Sequence, residues 1–333
     1  MKISVLGCGR WGSFLAWYCS RLGYNTFLWG MKDSSTFKEL VENNGKNNFV
    51  QLPNTVHLID DIELALQRSD IAIISIPTQQ LRVFLNSSVV NLLQDKKVVL
   101  CMKGIECSTG KRLTEVAIDC GLKKDNLAVW VGPGHIQEFV KNKPNAMVID
   151  SCNKNLTKFL VENFKSNLIR LYYGEDLIGT EVGAACKNIM GILAGMLDGA
   201  DMSALKGPLM SRGAREVGRL IKAMGGNDIS AYGLCHLGDY ETTLFSQHSN
   251  NRKWGENWVL GKQFDKLAEG VPTTTAVVKI VKDLPEDLCI DMPLTFGLKS
   301  SLDRGSPDGL LEELFGRPTG TEFYKKKRVD DIV

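Results

Sequence analysis

The first half of the chain alternates short apolar runs with helical patterns. Lys2–Leu6 and Asn25–Trp29 are brief and rich in β-branched, aromatic or aliphatic residues. Ile71–Ile76, Lys97–Met102, Leu127–Val131, Ala146–Ile149 and Leu168–Tyr173 follow in turn. Continuous apolar runs of this length, bounded by polar residues, predict buried strands of a parallel sheet. Between the first two, Trp11–Leu22 places Leu15, Tyr18, Cys19 and Leu22 on one face. That spacing predicts a helix, and Gly23 suits its C-terminal cap. Thr78, behind Pro77, is expected to cap a further helix.

After Gly174 the pattern changes. Glu181–Leu197 is rich in Ala, Ile, Leu and Met and reads as one long helix. Pro208–Met224, Asn257–Leu267, Thr273–Lys282 and Leu310–Leu314 read as helices too, with Gly238-Asp239 and Ser249–Arg252 as polar loops. The expected fold is α/β: an N-terminal Rossmann-type, doubly wound, mostly parallel sheet, followed by an all-helical C-terminal domain. The division is expected at 1–178 and 179–333, which suits a chain of 333 residues.

The first run ends in Gly7-Cys8-Gly9-Arg10-Trp11-Gly12, a G-x-G-x-x-G pattern between strand and helix. In that context Gly7 permits the tight turn, Gly9 lets the backbone approach a phosphate, and Gly12 lets the helix pack close to the strand. A dinucleotide pyrophosphate would sit at the helix N-terminus. An ordinary strand-to-helix turn is the competing reading.

Ligands of an open α/β sheet bind beyond the carboxyl ends of its strands. The residues there are Pro77-Thr78, Lys103-Gly104 and Gly132-Pro133-Gly134-His135. Lys103 reads equally well as an exposed turn lysine, and His135 as a supporting or surface histidine. Lys187 stands inside the apolar stretch Val182–Met190. Lysine is seldom buried alone, and burial lowers its pKa toward the range of acid–base chemistry. A lysine on a solvent stripe is the alternative.

Composition narrows the picture. The net charge of +2 calls for neither nucleic acid nor a stable membrane association. A first segment that reads as strand is not a secretory signal. Nine cysteines without a C-x-x-C pair read as free thiols of a cytoplasmic protein. Four dispersed histidines, His57, His135, His236 and His248, predict no metal site. Lys325–Arg328 reads as a solvated charge run.

Taken in order, these motifs resemble the soluble, bacterial-type NAD(P)-dependent glycerol-3-phosphate dehydrogenases. The resemblance runs almost end to end. Beyond the glycine loop it includes Lys103-Gly104-Ile105-Glu106, Gly132-Pro133, Ile178-Gly179, Glu181-Val182-Gly183 and Lys187-Asn188. It continues through Ser211-Arg212-Gly213, Leu237-Gly238-Asp239, Asn251-Arg252 and Glu269–Thr273. The resemblance implies hydride exchange between a nicotinamide, NAD or NADP, and C2 of glycerol 3-phosphate, a precursor of phospholipid synthesis. It implies Lys187 as the acid–base group, with Lys103 and Asp239 polarising the reacting end. Lys103, Gly132, Lys187, Asp239, Thr243, Ser249, Asn251 and Arg252 are implied to hold the phosphorylated substrate. Gly7, Gly9, Arg10, Trp11, Gly12, Lys32, Lys103, Leu267 and Glu269 fall at cofactor positions.

The chain departs from the family pattern at three places. Asn250 stands where the family has an arginine that touches substrate phosphate and cofactor; Arg252 and Lys253 are the expected compensators. Gly134 replaces a serine. Met31 replaces the basic residue after the second strand, so Lys32 and Asp33 leave the choice of NAD or NADP open. A related reductase of another phosphorylated or acidic ketone, or a cofactor-binding protein with little catalysis, are the alternatives. The oligomeric state is open, a homodimer included.

Overall fold

The computed structural model describes residues 1–320 and 322. The charge run Lys325–Arg328 therefore lies outside the described residues. Among the described residues eight strands form one sheet: β1 (Lys2–Leu6), β2 (Asn25–Trp29), β3 (Val56–Ile59), β4 (Ile71–Ile74), β5 (Lys97–Leu100), β6 (Leu127–Val131), β7 (Asn145–Asp150) and β8 (Ile169–Tyr173). Their spatial order is β3-β2-β1-β4-β5-β6-β7-β8. All neighbours are parallel except β6 and β7, which pair antiparallel. The chain therefore winds one way from β1 to β3 and the other way from β4 onward. The gap between β1 and β4 is the switch point at which such sheets bind ligands.

Seven strands fall where the apolar runs predict them. β3 lacks a clear signal because it is a four-residue edge strand with His57 exposed and Leu58 and Ile59 half-buried. The first helix spans Arg10–Arg21. Gly23 takes a positive φ of 85° behind it and donates its N–H to Ser20 O, closing the helix as expected. Thr78 does not act as a side-chain cap. It begins a short 3₁₀ turn, its side chain is buried against Gly104, and its N–H goes to Glu269 instead.

The helical half is organised around the helix Leu177–Gly199, whose residues from Gly179 to Leu197 are all buried. Among the described residues it is the one helix long and apolar enough to cross a membrane, and 89% of its apolar window is buried inside the fold. The helices Lys206–Ala223, Asn250–Val259, Gly270–Asp283, Pro293–Arg304 and Leu310–Phe315 surround it. The polar stretch Ser249–Arg252, expected as a loop, is the capped first turn of Asn250–Val259. The Ser249 hydroxyl accepts the Arg252 N–H at 3.3 Å. The helix expected over Asn257–Leu267 thus starts seven residues earlier and ends at Val259, before Gly261 at a φ of 64°.

This helix packs on the central one at backbone contact. A Cβ on Gly195 would lie 1.8 Å from the Arg252 carbonyl oxygen, and one on Gly255 would lie 2.1 Å from that of Ile192. The close crossing brings Asn251 to Asn188, and through them the helical half to the strand ends.

Candidate active site

The glycine loop is built for close approach. Gly7 has a φ of 109°, and a Cβ there would lie 2.3 Å from Ser75 O. A Cβ on Gly12 would lie 1.8 Å from Gly7 O. Gly9 differs from both. Its φ of −69° and ψ of −171° suit any residue, and a Cβ on it meets no atom within 4 Å. The fold does not require glycine at that position, so the open space in front of the helix N-terminus is what its missing side chain preserves. That cradle fits a pyrophosphate.

A cleft of about 280 Å³ opens beside it. Residues beyond four strand ends and residues of the helical half line it: Arg10 and Trp11, Thr78, Lys103, Gly134 and His135, Lys187 and Asn188, Asp239 and Thr243, Ser249, Asn250 and Asn251, Leu267 and Glu269. A larger apolar cavity of about 540 Å³ lies among Leu193, Leu197, Leu209, Leu310 and Phe315 in the helical half. Lysines and a carboxylate converge in the smaller cleft, and chemistry follows those groups rather than volume.

At its floor two lysines meet one carboxylate. Asp239 Oδ2 accepts Lys187 Nζ at 2.7 Å and Lys103 Nζ at 2.7 Å, while the Thr242 hydroxyl donates to Oδ1. Lys187 Nζ also contacts Thr243 Oγ1 at 2.8 Å, and Lys103 Nζ donates to Gly132 O at 2.7 Å. Lys187 is 8% exposed and Asp239 1%. Burial pushes the Lys187 pKa down to about 8, Asp239 opposes the fall, and Lys103 adds to it. Burial acts to raise Asp239, but the charges of Lys103 and Lys187 override it and hold the carboxyl below its usual range. A lysine poised near neutrality, rigidly held at a strand mouth, is suited to giving and taking a proton.

Asn188 and Asn251 fix this floor. Asn188 Nδ2 donates to Lys103 O at 2.9 Å, and Asn251 Nδ2 donates to Asn188 Oδ1 at 2.9 Å. Asn251 Oδ1 accepts the Gly270 N–H at 2.9 Å, tying in the helix Gly270–Asp283. On the glycine-loop side, Glu269 Oε1 accepts the Thr78 N–H at 3.0 Å, and burial raises its pKa. Its Oε2 and Thr78 Oγ1 are buried without a hydrogen-bond partner among the described residues. Such orphaned atoms are costly unless a ligand satisfies them, which fits a cofactor with polar substituents.

The other positions singled out in the sequence divide between the cleft and its surroundings. Arg252 is outside the cleft lining; its guanidinium is held by Asp198 at 2.5 Å, Glu256 at 3.0 Å and Ser246 O at 3.0 Å. Asn250 lines the cleft, and its Nδ2 donates to Leu267 O at 3.2 Å. Lys32 is exposed in the turn after β2, and neighbouring Asp33 pairs with Lys38 at 3.5 Å. None of the nine cysteines is in a disulfide, and no group of three or more His, Cys, Asp or Glu among the described residues could hold a metal ion. Thr242 escaped the sequence reading because its only signal is its spacing of three from Asp239.

Directly behind Asp239, His236 is fully buried. Its Nδ1–H donates to Gly183 O at 2.9 Å, and its Nε2 accepts from the Tyr240 hydroxyl at 2.6 Å. Both contacts suit the neutral ring, and burial pushes its pKa down to about 4. The unfolded chain binds this proton near pH 6.5, so the stabilisation is complete above that value and is lost as pH falls through about 4. It is worth up to about 3 kcal/mol. Urea unfolding between pH 7 and pH 4.5 is expected to show this loss. His236→Gln, which does not titrate, is expected to show a shallower pH dependence; an unchanged slope would exclude His236 as the cause.

A glycine-lined cradle at a sheet switch point, with a buried lysine–aspartate cluster beside it, defines a dinucleotide-dependent oxidoreductase. The chain belongs to the NAD-dependent glycerol-3-phosphate dehydrogenase family: the model of the family's N-terminal part matches residues 2–157, and that of its C-terminal part residues 176–307. The glycerol-3-phosphate dehydrogenase, NAD(P)+, of Chlorobium limicola is 32% identical over 337 residues, covering 97% of this chain and 100% of that protein. The corresponding protein of a Thermoanaerobacter species is 34% identical over 317 residues, covering 92% and 93%. The crystal structure of glycerol-3-phosphate dehydrogenase from Coxiella burnetii superposes with a TM-score of 0.83 at 27% identity, covering 95% of this chain and 99% of that one.

Proposed function

We propose that this chain catalyses NAD(P)H-dependent reduction of dihydroxyacetone phosphate to sn-glycerol 3-phosphate, and its reverse, with residues 1–178 holding the cofactor and residues 179–333 carrying most of the catalytic groups. The observation that carries the reading is the Lys187–Asp239–Lys103 cluster in the cleft next to the glycine cradle. Gly7, Gly9, Gly12, Trp11 and the backbone of Arg10 hold the nicotinamide dinucleotide, with Leu267 and Glu269 opposite. Bound there, the cofactor supplies a hydride to C2 of the ketone.

The chain supplies the proton. Lys187 Nζ donates it to the carbonyl oxygen as the C=O π bond breaks, and retakes it in the oxidation direction. Asp239 keeps Lys187 charged enough to donate, while burial keeps it acidic enough to let go. Lys103, held by Gly132 O, adds positive charge where the alkoxide develops. Asn188 and Asn251 keep that charge in place, and Thr243 fixes the Lys187 ammonium. Ser249 stands on the substrate side of the cleft.

The test is a spectrophotometric assay with dihydroxyacetone phosphate and NADH or NADPH in parallel, beside a panel of other phosphorylated and acidic ketones. Turnover of dihydroxyacetone phosphate above the rest is expected. Preference for another ketone would replace this substrate assignment, a reading that Asn250 and Gly134 keep in view. Cofactor binding without any turnover would defeat the enzymatic reading.

A further inference from the structure

We propose that the Arg10 guanidinium, projecting from the first residue of the glycine-loop helix, is the phosphate-binding cation of the substrate pocket, taking the charge that Asn250 does not supply. The inference rests on the reading above and adds to it a residue whose helix position alone points to the cofactor. Three cations line the cleft among the described residues: Arg10, Lys103 and Lys187. The two lysines share Asp239 and sit on its floor. A phosphomonoester carries close to two negative charges, so a further cation at the other end of the substrate strengthens its binding.

The corner around Asn250 offers few sources. Asn250 is neutral and donates to Leu267 O. Arg252 is locked by two carboxylates and a carbonyl outside the cleft. His135, whose ring stands 5.6 Å from that of His248, is pushed down to about 4 by burial and by the neighbouring His248 and Arg10, so it carries no charge near pH 7. Arg10 remains. Its Nη1 donates to His248 O at 3.3 Å, one residue before the Ser249 cap and two before Asn250. Its guanidinium also stands 5.8 Å from the centroid of the Phe49 ring. That carbonyl contact is long for a charged donor, and no carboxylate lies within ion-pair distance of Arg10 among the described residues. The planar fork therefore keeps most of its donors for an anion, and it reaches from the cofactor loop to the helix that carries Ser249 and Asn250. Substrate phosphate would then couple the two halves of the chain.

The experiment uses the full chain as wild type, Arg10→Ala, Arg10→Lys and Arg10→Ala/Asn250→Arg. Three quantities are measured: KM for dihydroxyacetone phosphate, Kd of inorganic phosphate for the NADH complex, and Kd of NADH. Arg10→Ala is expected to raise the first two by about 10–100-fold, the loss of one charged hydrogen-bonding group. It is expected to leave kcat and the NADH Kd nearly unchanged. Arg10→Lys is expected to fall between, because it keeps the charge and loses the fork. Asn250→Arg in the alanine background is expected to restore phosphate affinity. A rise in the NADH Kd with phosphate affinity unchanged would overturn the proposal in favour of a pyrophosphate contact. Equal loss of kcat, NADH affinity and melting temperature would overturn it in favour of a structural role. If the wild type does not turn over dihydroxyacetone phosphate, the substrate reading fails. The phosphate titration then still decides Arg10: weaker binding in the alanine variant supports it, equal binding rejects it.

Discussion

Lys187→Met is expected to lower kcat by about 10²–10⁴-fold, the usual worth of a positioned acid–base group. Methionine has a similar length and suits the buried helix face, so the fold and NADH affinity are expected to persist. The loss comes from the missing proton at the carbonyl oxygen and from a carboxylate left with Lys103 alone. The wild-type pH profile carries the same signature. Reduction needs Lys187 protonated, so its kcat is expected to fall as pH rises through about 8. Oxidation needs the free amine, so its kcat is expected to rise over the same range. The methionine variant is expected to lose this limb. Retention of most of kcat, or of the same pH limb, would remove Lys187 from the chemistry.

Gly9→Val is the second large effect, and Gly12→Val is its contrast. A Cβ on Gly9 touches nothing and its backbone angles suit valine, so melting temperature is expected to hold. The branched side chain would fill the cradle before the helix N-terminus, and NADH affinity is expected to fall by tenfold or more, with each tenfold equal to about 1.4 kcal/mol. Gly12→Val places its Cβ 1.8 Å from Gly7 O and is expected to damage folding itself. Fluorescence titration of NADH beside thermal melting separates the two. Unaltered NADH affinity in a folded Gly9→Val protein would move the pyrophosphate elsewhere.

The sequence determined a good deal by itself. Seven strands, the mostly parallel winding and the helical second half were legible because buried parallel strands are uninterrupted apolar runs, which survive without knowledge of their neighbours. The glycine loop was legible because its spacing is local. Lys187 stood out because a charge inside an apolar helix is a visible contradiction. What the sequence missed was decided by contacts between distant segments. The four residues of β3 form a strand only because β2 offers an edge. Ser249–Arg252 looks like a polar loop, yet Gly195 and Gly255 bring two helices to backbone contact and turn it into a capped helical turn. That crossing sends Arg252 to Asp198 and Asn251 to Asn188. The convergence of Lys103, Lys187 and Asp239 joins residues up to 136 positions apart. Local patterns state which residue types are present, but only tertiary packing sets which of them share a dielectric, a hydrogen bond and a proton.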